Sequence, residues 1–424
     1  MALIERLAGK LIRKGTLTLV WPDGRRQQFG DGGGKAVTVR LADRKTAFAI
    51  ARNPRLGLGE AYMDGRLVIE DGDILSLMET VVGSNPWEEG GGGRKKLNRG
   101  KSRLKALFRR NEARRSRHNV AHHYDIGNDL YRLFLDDDLQ YSCAYFTDPA
   151  NSLEQAQLDK KAHIAAKLAL EPGHHVLDIG CGWGGTALYL NRVAGARVTG
   201  ITLSEEQLKI ARERAAAAGV ADQVRFELID YRQVEGHFDR IVSIGMFEHV
   251  GAAHYDEFFA KCRALLKPDG VMLLHTIGKF GKSSSPDPFT DKYIFPGYHL
   301  PSLSQMAAAS EKARLITTDV ETLRLHYAFT LRHWLERTRK AKARIVGLYD
   351  ERFFRMWEFY LAGGIVGFEF GTMCNYQLQY ARDRRALPIT RDYMLEAERA
   401  LRERHEKGPG AKPRAPRSRM KAKA

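Results

Sequence analysis

Residues 176–185, VLDIGCGWGG, constrain the fold of this chain more than any other stretch. The stretch begins as a buried strand and runs directly into a glycine-rich turn. Gly180, Gly182 and Gly185 fit the G-x-G-x-x-G spacing of nucleotide-binding turns. In an open α/β sheet such a turn lies at the carboxyl ends of the strands, where the ligand binds. The sequence therefore predicts an α/β domain with a ligand at that edge.

The segments around this turn alternate between strand and helix patterns. Strand composition is found in HVLDIG, ARVTGI, VRFELI, FDRIVSIG and GVMLLHTI, and helical composition in GTALYLNRVA, EEQLKIARERAAAA and YDEFFAKCRALL. Ser204 and Gln207 have the spacing of a capping box at the start of the second helix. The alternation predicts a parallel sheet covered on both faces by helices.

The position of the acidic residues bears on which nucleotide the turn serves. A dinucleotide site places an acid at the end of the second strand, but that strand ends in GITLS. Glu205 and Glu206 follow in the first turn of a helix, where the helix dipole is enough to explain them. Instead, Asp178 precedes Gly180 by two residues. This D-x-G-x-G pattern resembles motif I of the S-adenosylmethionine-dependent methyltransferases, which implies that cofactor rather than NAD.

Composition divides the chain into four parts. Residues 1–84 contain TLTLVW and AVTVRL with WPDGRR between them, which predicts a small β-rich N-terminal domain with a hairpin turn and flanking helices. Residues 85–117 form a glycine-rich linker followed by a basic amphipathic helix, and residues 118–406 form the large catalytic domain. Residues 407–424 are a basic tail without acidic residues, for which we predict disorder.

The net charge of +17 indicates a polyanionic partner, either nucleic acid or an anionic membrane face. Within residues 94–119, Leu104, Leu107 and Phe108 have helical spacing among many arginines and lysines. That composition is typical of a helix on an anionic lipid surface, although a solvated linker helix explains it equally well. The large domain has no base-flipping motif and no basic aromatic platform, so we expect no nucleic-acid partner.

Targeting motifs and the spacing of the cysteines bear on the cellular compartment of the protein. The N-terminus lacks the features of a signal peptide, and no run of eighteen apolar residues occurs. The four cysteines are widely spaced without a C-x-x-C pair, which argues against a metal site or a disulfide framework. We expect a cytoplasmic protein associated peripherally with the inner membrane face.

Several longer motifs narrow the family. HHYDIGNDLYRLFLDDDLQYSCAYF, GITLSEEQ, SIGMFEHVG and LLHTIG occur in this order. Together they closely resemble the cyclopropane-fatty-acyl-phospholipid synthases and their mycolic acid relatives, over about residues 118–400. The resemblance implies a Rossmann-like class I methyltransferase domain with a mostly parallel seven-stranded sheet and added lipid-site helices. It also implies a small N-terminal α+β domain like that of the phospholipid-acting members.

The reaction implied by this resemblance adds a methylene from S-adenosylmethionine across the cis double bond of unsaturated phospholipid acyl chains. A carbocation forms on the chain, and a bound bicarbonate ion removes the proton that allows the cyclopropane ring to close. The residues that match the bicarbonate motif are Cys143, Glu248, His275, Ile277 and Tyr327. A backbone N–H, an imidazole and a phenol could donate to the anion, while ionised Glu248 accepts from its hydroxyl group.

Each of these residues also has an ordinary structural explanation. Cys143 could be a small buried apolar residue, His275 a core histidine, and Glu248 a helix cap. Their occurrence in series favours the functional interpretation. The resemblance also carries cofactor binding onto Tyr141, Ser142, Gly180, Gly182, Thr202, Leu203, Gln207, Asp230 and Tyr231. Gln207 would serve the ribose hydroxyls, Asp230 the adenine amino group, and Tyr231 the adenine ring.

The acyl chain requires an apolar tunnel. YIFPGYHLPSL and the stretch FFRMWEFYLAGGIVGFEFGTMCNYQLQY supply aromatic residues, Met356, Met373 and the small pair Gly363 and Gly364. Two alternatives stay open: methylation of the same double bond to give a methyl-branched chain, and a lipid-binding relative without catalysis. The oligomeric state is also left open, a homodimer being one alternative.

Overall fold

The computed structural model describes residues 2–89, 127–283 and 285–407. The basic run at residues 94–119, with Leu104, Leu107 and Phe108, lies outside the described residues, as do most of the predicted linker and the tail beyond Lys407.

The N-terminal region is a mixed four-stranded sheet with helices beside it. The sheet has the order β2-β1-β3-β4 and consists of β1 (Thr16–Val20), β2 (Arg26–Gly30), β3 (Ala36–Leu41) and β4 (Leu67–Asp71). The helices are α1 (Ala2–Leu11), α2 (Arg44–Arg52), α3 (Pro54–Met63) and α4 (Ile74–Gly83). The predicted α+β character of this region is confirmed.

The WPDG turn joins β1 to β2, not to the AVTVRL segment. Its Gly24 has a φ of +82° and donates its N–H to the carbonyl of Trp21 at 2.9 Å. AVTVRL is β3, which lies parallel to β1 on the other side. The sequence analysis missed β2, RQQFG, because its residues are polar and mostly exposed, so hydrophobic periodicity is weak there.

The large sheet has seven strands in the order β10-β11-β9-β8-β5-β6-β7. All strands run in the same direction except β11, which is antiparallel to both of its neighbours. The predicted class I methyltransferase fold is confirmed. The strands are β5 (His175–Ile179), β6 (Arg197–Thr202), β7 (Val224–Leu228), β8 (Phe238–Ile244), β9 (Leu266–Lys279), β10 (Ile316–Thr322) and β11 (Met373–Ala381).

Helices on both sides of this sheet include the three that the sequence predicted, now α7, α8 and α9. The helices after the N-terminal region are α5 (Asn128–Phe134), α6 (Leu153–Lys167), α7 (Gly185–Ala194), α8 (Glu205–Ala217), α9 (Tyr255–Leu265), α10 (Pro288–Tyr293), α11 (Leu303–Lys312), α12 (His326–Lys340), α13 (Lys342–Leu348), α14 (Glu351–Glu369) and α15 (Asp392–Lys407). Across the described ranges, we find no helix with the length and apolarity needed to cross a bilayer.

The N-terminal region packs against α14 through α3 and α4. Arg339 on α12 binds Asp73, the N-cap of α4, at 2.9 Å and Glu358 on α14 at 2.7 Å. The hydroxyl of Tyr62 on α3 donates to the other oxygen of the buried Glu358 at 2.5 Å. These bonds fix the N-terminal region on α14, which carries predicted acyl-site residues, and on α12, which carries the predicted bicarbonate residue Tyr327.

Candidate active site

A cleft opens at the carboxyl ends of β5, β6, β7 and β8. The chain connects β5 to β6 on one side and reaches β8 on the other, so this is the topological switch point at which open α/β sheets bind ligands. All residues predicted to hold the cofactor line this cleft: Tyr141, Ser142, Gly180, Gly182, Thr202, Leu203, Gln207, Asp230 and Tyr231.

The glycine turn after β5 has a backbone that other residues rarely adopt. Gly180 and Gly182 have φ values of +85° and +55°. A Cβ on Gly180 would lie 2.9 Å from the Cβ of Met246, whereas a Cβ on Gly182 would meet no atom within 4 Å. Gly180 therefore allows close packing, and Gly182 leaves open space in which a ligand can approach the backbone.

The end of β6 presents Thr202 and Gln207 to the cleft. The Thr202 hydroxyl donates to Oε1 of Gln207 at 3.0 Å, and the Gln207 N–H donates to Oγ of Ser204 at 3.3 Å. Only half of the predicted capping box is present, because the Ser204 N–H is directed to Thr202 Oγ1 at 3.2 Å. The side-chain oxygen of Gln207 thus accepts from Thr202 and not from the Ser204 N–H, and its amide nitrogen is oriented as a donor for ligand hydroxyls.

Asp230 and Tyr231 follow β7 and form the far wall of the cleft. The buried carboxylate of Asp230 accepts from Nε and Nη2 of Arg232 at 2.8 and 2.6 Å. The backbone N–H of Arg232 also donates to Oδ1 of Asp230 at 3.0 Å, so Arg232 orients this carboxylate in the cleft wall. The Tyr231 ring contacts Phe258 edge-on at 5.3 Å. Arg232, which the sequence analysis missed, lines the cleft and lies over the Tyr231 ring at 5.4 Å.

Asp178 lies at the near end of the cleft, on β5. Its side chain is buried and Oδ2 has no hydrogen-bond partner among the described residues. Burial raises the pKa of Asp178 to about 7, an effect that the nearby Lys160 opposes. Gln140 and Thr186 line the same end and were also missed. Gln140 lies within the motif at residues 122–146 but received no role from it, and Thr186 directly follows the glycine turn.

Glu248 is the best-defined member of the predicted bicarbonate set. Its Oε1 accepts from the backbone N–H of Ile277 at 2.6 Å. Its Oε2 is buried and has no partner among the described residues. Burial raises the pKa of Glu248 to about 7, and the Ile277 N–H opposes this by stabilising the ionised form. A buried carboxylate oxygen without a donor is a suitable acceptor for a ligand hydroxyl.

His275 lies two residues before Ile277 on the same face of β9, where β11 supplies its partners. Its Nε2 is 3.0 Å from the Asn375 amide nitrogen, and its Nδ1 is 3.1 Å from that of Gln377. Burial holds the pKa of His275 well below its usual value, so the ring is neutral and has one donor and one acceptor. One of the two amides must therefore turn its oxygen to the ring. If His275 donated this N–H to a bound anion, as the sequence predicts, the amide oxygen that accepts it would have to move away.

Cys143 and Tyr327 lie in one apolar cluster, against which Ile277 also packs. The Cys143 thiol is buried and directed to the carbonyl of Ala144 at 3.4 Å, and burial raises its pKa. The Ala144 N–H donates to Thr330 Oγ1 at 3.0 Å, which ties this segment to α12, the helix that carries Tyr327. Cys143, Tyr327 and Ile277 thus belong to the same large apolar cluster, and Glu248 is bonded to Ile277. None of these four residues is on the described lining of the cleft.

Aromatic side chains surround Tyr141 at the boundary between the cleft and this cluster. The Tyr141 ring lies 5.1 Å from Tyr131 and 5.2 Å from Trp334, and its hydroxyl lies 3.4 Å from that of Tyr360. Tyr360 in turn contacts Phe295 from the YIFPGYHLPSL segment at 6.0 Å. The predicted lipid-site segments therefore meet at this aromatic group.

The glycines on α14 allow helix packing. A Cβ on Gly364 would lie 2.9 Å from Leu331 on α12, and one on Gly363 would lie 3.6 Å from Met78 on α4. Both glycines therefore face neighbouring helices. Helix packing explains why these residues are small, without the tunnel wall that the sequence predicts. Met373 and NYQLQY, from the same predicted acyl-site stretch, do not belong to α14. They form β11, the strand between β9 and β10.

Comparison with known families gives two matches. The sequence model of the mycolic acid cyclopropane synthetase family matches residues 111–378. A domain family of unknown function matches residues 10–86.

Related proteins match most of the chain. A probable fatty acid methyltransferase of Pseudomonas putida is 37% identical over 380 residues, which covers 87% of this chain and 93% of that protein. The cyclopropane-fatty-acyl-phospholipid synthase of Escherichia coli K12 is 38% identical over 354 residues, which covers 82% and 89%. The crystal structure of the mycolic acid cyclopropane synthase CmaA1 with SAH and CTAB has a TM-score of 0.59 at 35% identity, and covers 62% of this chain and 98% of that one.

Proposed function

Because the chain belongs to the mycolic acid cyclopropane synthetase family of S-adenosylmethionine-dependent methyltransferases, we propose that it cyclopropanates the unsaturated acyl chains of membrane phospholipids. S-adenosylmethionine supplies an electrophilic methyl group, and a bound bicarbonate supplies the base. The electron pair of the alkene forms the new carbon–carbon bond as the bond to sulfur breaks. The transferred methyl group would then lose a proton to the bicarbonate, and the electron pair left on its carbon would close the ring.

The unpartnered Oε2 of Glu248 carries this proposal. The Ile277 N–H holds the other oxygen at 2.6 Å, so the carboxyl group cannot rotate freely. Oε2 would accept a hydrogen bond from the hydroxyl of bicarbonate, which orients the ion and increases its basicity. Cys143 and Tyr327, from the apolar cluster beside Ile277, would form the rest of this binding site.

The aromatic group around Tyr141 supports the carbocation step. Aromatic faces stabilise a nearby positive charge without offering a nucleophile that would trap it. Trp334 has no exposed surface and Tyr131 only 1%, so this wall also keeps water from the reacting chain.

The methyl-branched product remains the second candidate function. The relatives named as methyltransferases, from Pseudomonas putida and, at 34% identity, from Mycobacterium tuberculosis, resemble this chain about as closely as the Escherichia coli synthase does. A branched product requires the same transfer of a methyl group but a different fate of the cation. The polar acceptor at Glu248 favours proton removal and ring closure.

One experiment distinguishes these functions. The protein is incubated with S-adenosylmethionine carrying a labelled methyl group and with vesicles of monounsaturated phospholipid, and the acyl products are identified by mass spectrometry and NMR. A cyclopropane ring supports the proposal, whereas a methyl branch supports the second candidate. Labelled cofactor that binds without any acyl product would indicate a lipid-binding relative.

We further propose that the protein works at the cytoplasmic membrane surface. The support is the net charge of +17 together with the basic run at residues 94–119. Each lysine or arginine near an anionic surface contributes about 1 kcal/mol to docking.

A further inference from the structure

Lys160 on α6 is a fully buried lysine that the reaction scheme does not use. Its Nζ donates to Oε1 of Gln140 at 2.7 Å and to Oγ of Ser142 at 2.8 Å. Both acceptors line the cofactor cleft. Burying an ammonium group is costly unless the group is paired or hydrogen-bonded. The position of Lys160 directly behind the cleft wall therefore requires an explanation.

The direction of the hydrogen bonds follows from the chemistry of lysine. Burial lowers the pKa of Lys160 to about 7, and the nearby Asp136 opposes this. A cofactor carboxylate in the cleft would favour the protonated form of the lysine, which donates and cannot accept. The Ser142 oxygen therefore accepts from Lys160, and the single Ser142 proton must point elsewhere. Because Ser142 faces the cleft, its hydroxyl can serve as a donor to a ligand there. A donor next to a buried cation suits an anionic ligand group.

A second residue of α6 strengthens this arrangement. The Gln157 amide, three residues before Lys160 and on the same helix face, donates to the carbonyls of Gln140 and Ser142 at 3.2 and 3.0 Å. Gln157 thus holds the backbone of the segment while Lys160 holds its side chains. The Gln140 amide nitrogen donates to Asp138 at 3.1 Å, which leaves Oε1 toward Lys160.

The order of the strands locates the end of the cofactor that meets Ser142. Asp230 and Tyr231, which are expected at the adenine, follow β7, and Gln207, which is expected at the ribose, follows β6. β5 lies on the far side of β6 from β7, and Asp178 and Gly180 lie at its end. The amino-acid part of the cofactor, which carries its carboxylate and ammonium groups, therefore lies toward β5, Asp178 and Ser142.

We propose that Lys160 is a positioning residue for the cofactor, which orients the Ser142 hydroxyl as a donor to the carboxylate of the amino-acid part and adds its positive charge behind it. This inference depends only on the S-adenosylmethionine site and not on the proposed acyl substrate or the bicarbonate ion. Asp178, near the end of β5, is then placed for the ammonium group of the same ligand.

The experiment compares two ligands by calorimetry. S-adenosylhomocysteine contains the carboxylate, whereas 5′-methylthioadenosine keeps the nucleoside thioether and lacks the amino-acid part. Lys160→Met should lower the affinity for S-adenosylhomocysteine by about ten- to hundredfold, as expected for a lost hydrogen bond to a charged group. The affinity for 5′-methylthioadenosine should stay within about twofold of wild type on the same reasoning, since no carboxylate is present.

Two further variants separate positioning from folding. Ser142→Ala keeps Lys160 and should show the same selective loss, so it tests the inference even if Lys160→Met does not fold. Lys167→Met removes another buried lysine of α6, which binds Asp319 and Glu321 instead of the cleft wall. It should leave the ratio of the two affinities unchanged.

The outcomes are distinct. Equal losses for the two ligands in Lys160→Met, or an unchanged ratio in Ser142→Ala, would overturn the inference and indicate a structural role. Neither result would bear on the acyl product, which the vesicle assay measures separately. A wild-type protein that makes no acyl product but binds S-adenosylhomocysteine would contradict the proposed function and leave this inference testable.

Discussion

At the scale of single residues, the two oxygens of Glu248 have different surroundings. Oε1 accepts from the Ile277 N–H, and Oε2 is buried without a partner among the described residues. A buried carboxylate held in this way is strained electrostatically, because burial removes water from the charged form. Such groups are typical of catalytic sites, where a ligand completes the hydrogen bonding.

The first prediction concerns turnover. Glu248→Gln should bind S-adenosylhomocysteine with wild-type affinity but lose about 10²–10³ in rate, the usual effect of removing one positioned partner of a reacting group. Calorimetry and product formation by mass spectrometry measure the two effects. Depleting dissolved carbon dioxide should also slow the wild type. Near wild-type turnover of the variant, or indifference to depletion, would refute the bicarbonate role.

The second prediction concerns stability at the same residue. Burial raises the pKa of Glu248 from 4.5 to about 7. In this pH window the folded protein keeps a proton that the unfolded chain releases, so the free energy of unfolding falls as pH rises. Glu248→Gln removes this effect and should be more stable than wild type by roughly 2–3 kcal/mol above neutral pH, but not near pH 4.5. Denaturant unfolding at the two pH values is the measurement, and an equal difference at both would contradict the raised pKa.

At the scale of elements, the turn between β5 and α7 shows how backbone conformation produces a binding surface. Gly180 allows close approach of Met246, whereas Gly182 faces open space with a left-handed backbone. The cleft is thus formed by the absence of side chains at the turn and by side chains from the ends of β6 and β7. A strand–turn–helix unit can supply this only if neighbouring strands are parallel, because their carboxyl ends then meet at one edge.

The third prediction tests that turn. Gly182→Val should abolish S-adenosylmethionine binding in calorimetry, because the branched side chain fills the space next to the backbone. Gly219→Val is the matched control: its φ is +67°, and a Cβ there also meets no atom within 4 Å, but the residue lies outside the cleft. Both variants should lose about 1–2 kcal/mol of stability from the left-handed backbone. Retained binding in Gly182→Val would mean that the glycine only forms the turn.

At the scale of the whole molecule, the N-terminal region and the lipid-site helices form one packed unit. Arg332 on α12 binds Glu79 on α4 at 2.7 Å and Glu369 on α14 at 2.8 Å. Together with the Arg339 bonds, this joins the N-terminal region to α12 and α14, which carry Tyr327 and Tyr360. The N-terminal region is therefore bonded directly to helices that lie next to the proposed acyl site.

The fourth prediction concerns membrane docking. Co-sedimentation with vesicles should increase with the fraction of anionic lipid and decrease with salt, because surface charges are screened within about 8–10 Å at physiological ionic strength. Reversing several charges between Arg103 and Arg117 should weaken docking more than deleting residues 408–424, since the first segment also has Leu104, Leu107 and Phe108. A larger effect of the tail deletion, or binding that is indifferent to salt and lipid charge, would contradict this assignment.

The sequence alone determined the parts that depend on neighbours along the chain. The strand and glycine turn at residues 176–185 and the helices α7 to α9 follow from local patterns. The cofactor residues that line the cleft came from the resemblance to the family. The motifs of that family also identified the residues that are candidates for binding the bicarbonate ion. Lys160 belongs to none of these motifs, so its position could not be predicted in this way.

The tertiary structure decided what these residues contact. His275 receives its partners from β11, 100 and 102 residues along the chain, because antiparallel pairing places Gln377 opposite it. Lys160 reaches the cleft wall from α6, and Gly364 faces Leu331 across a helix contact. Burial and long-range pairing set these contacts and the pKa of Glu248. Neither quantity is a property of a local sequence pattern, because both depend on which distant segments pack around a residue.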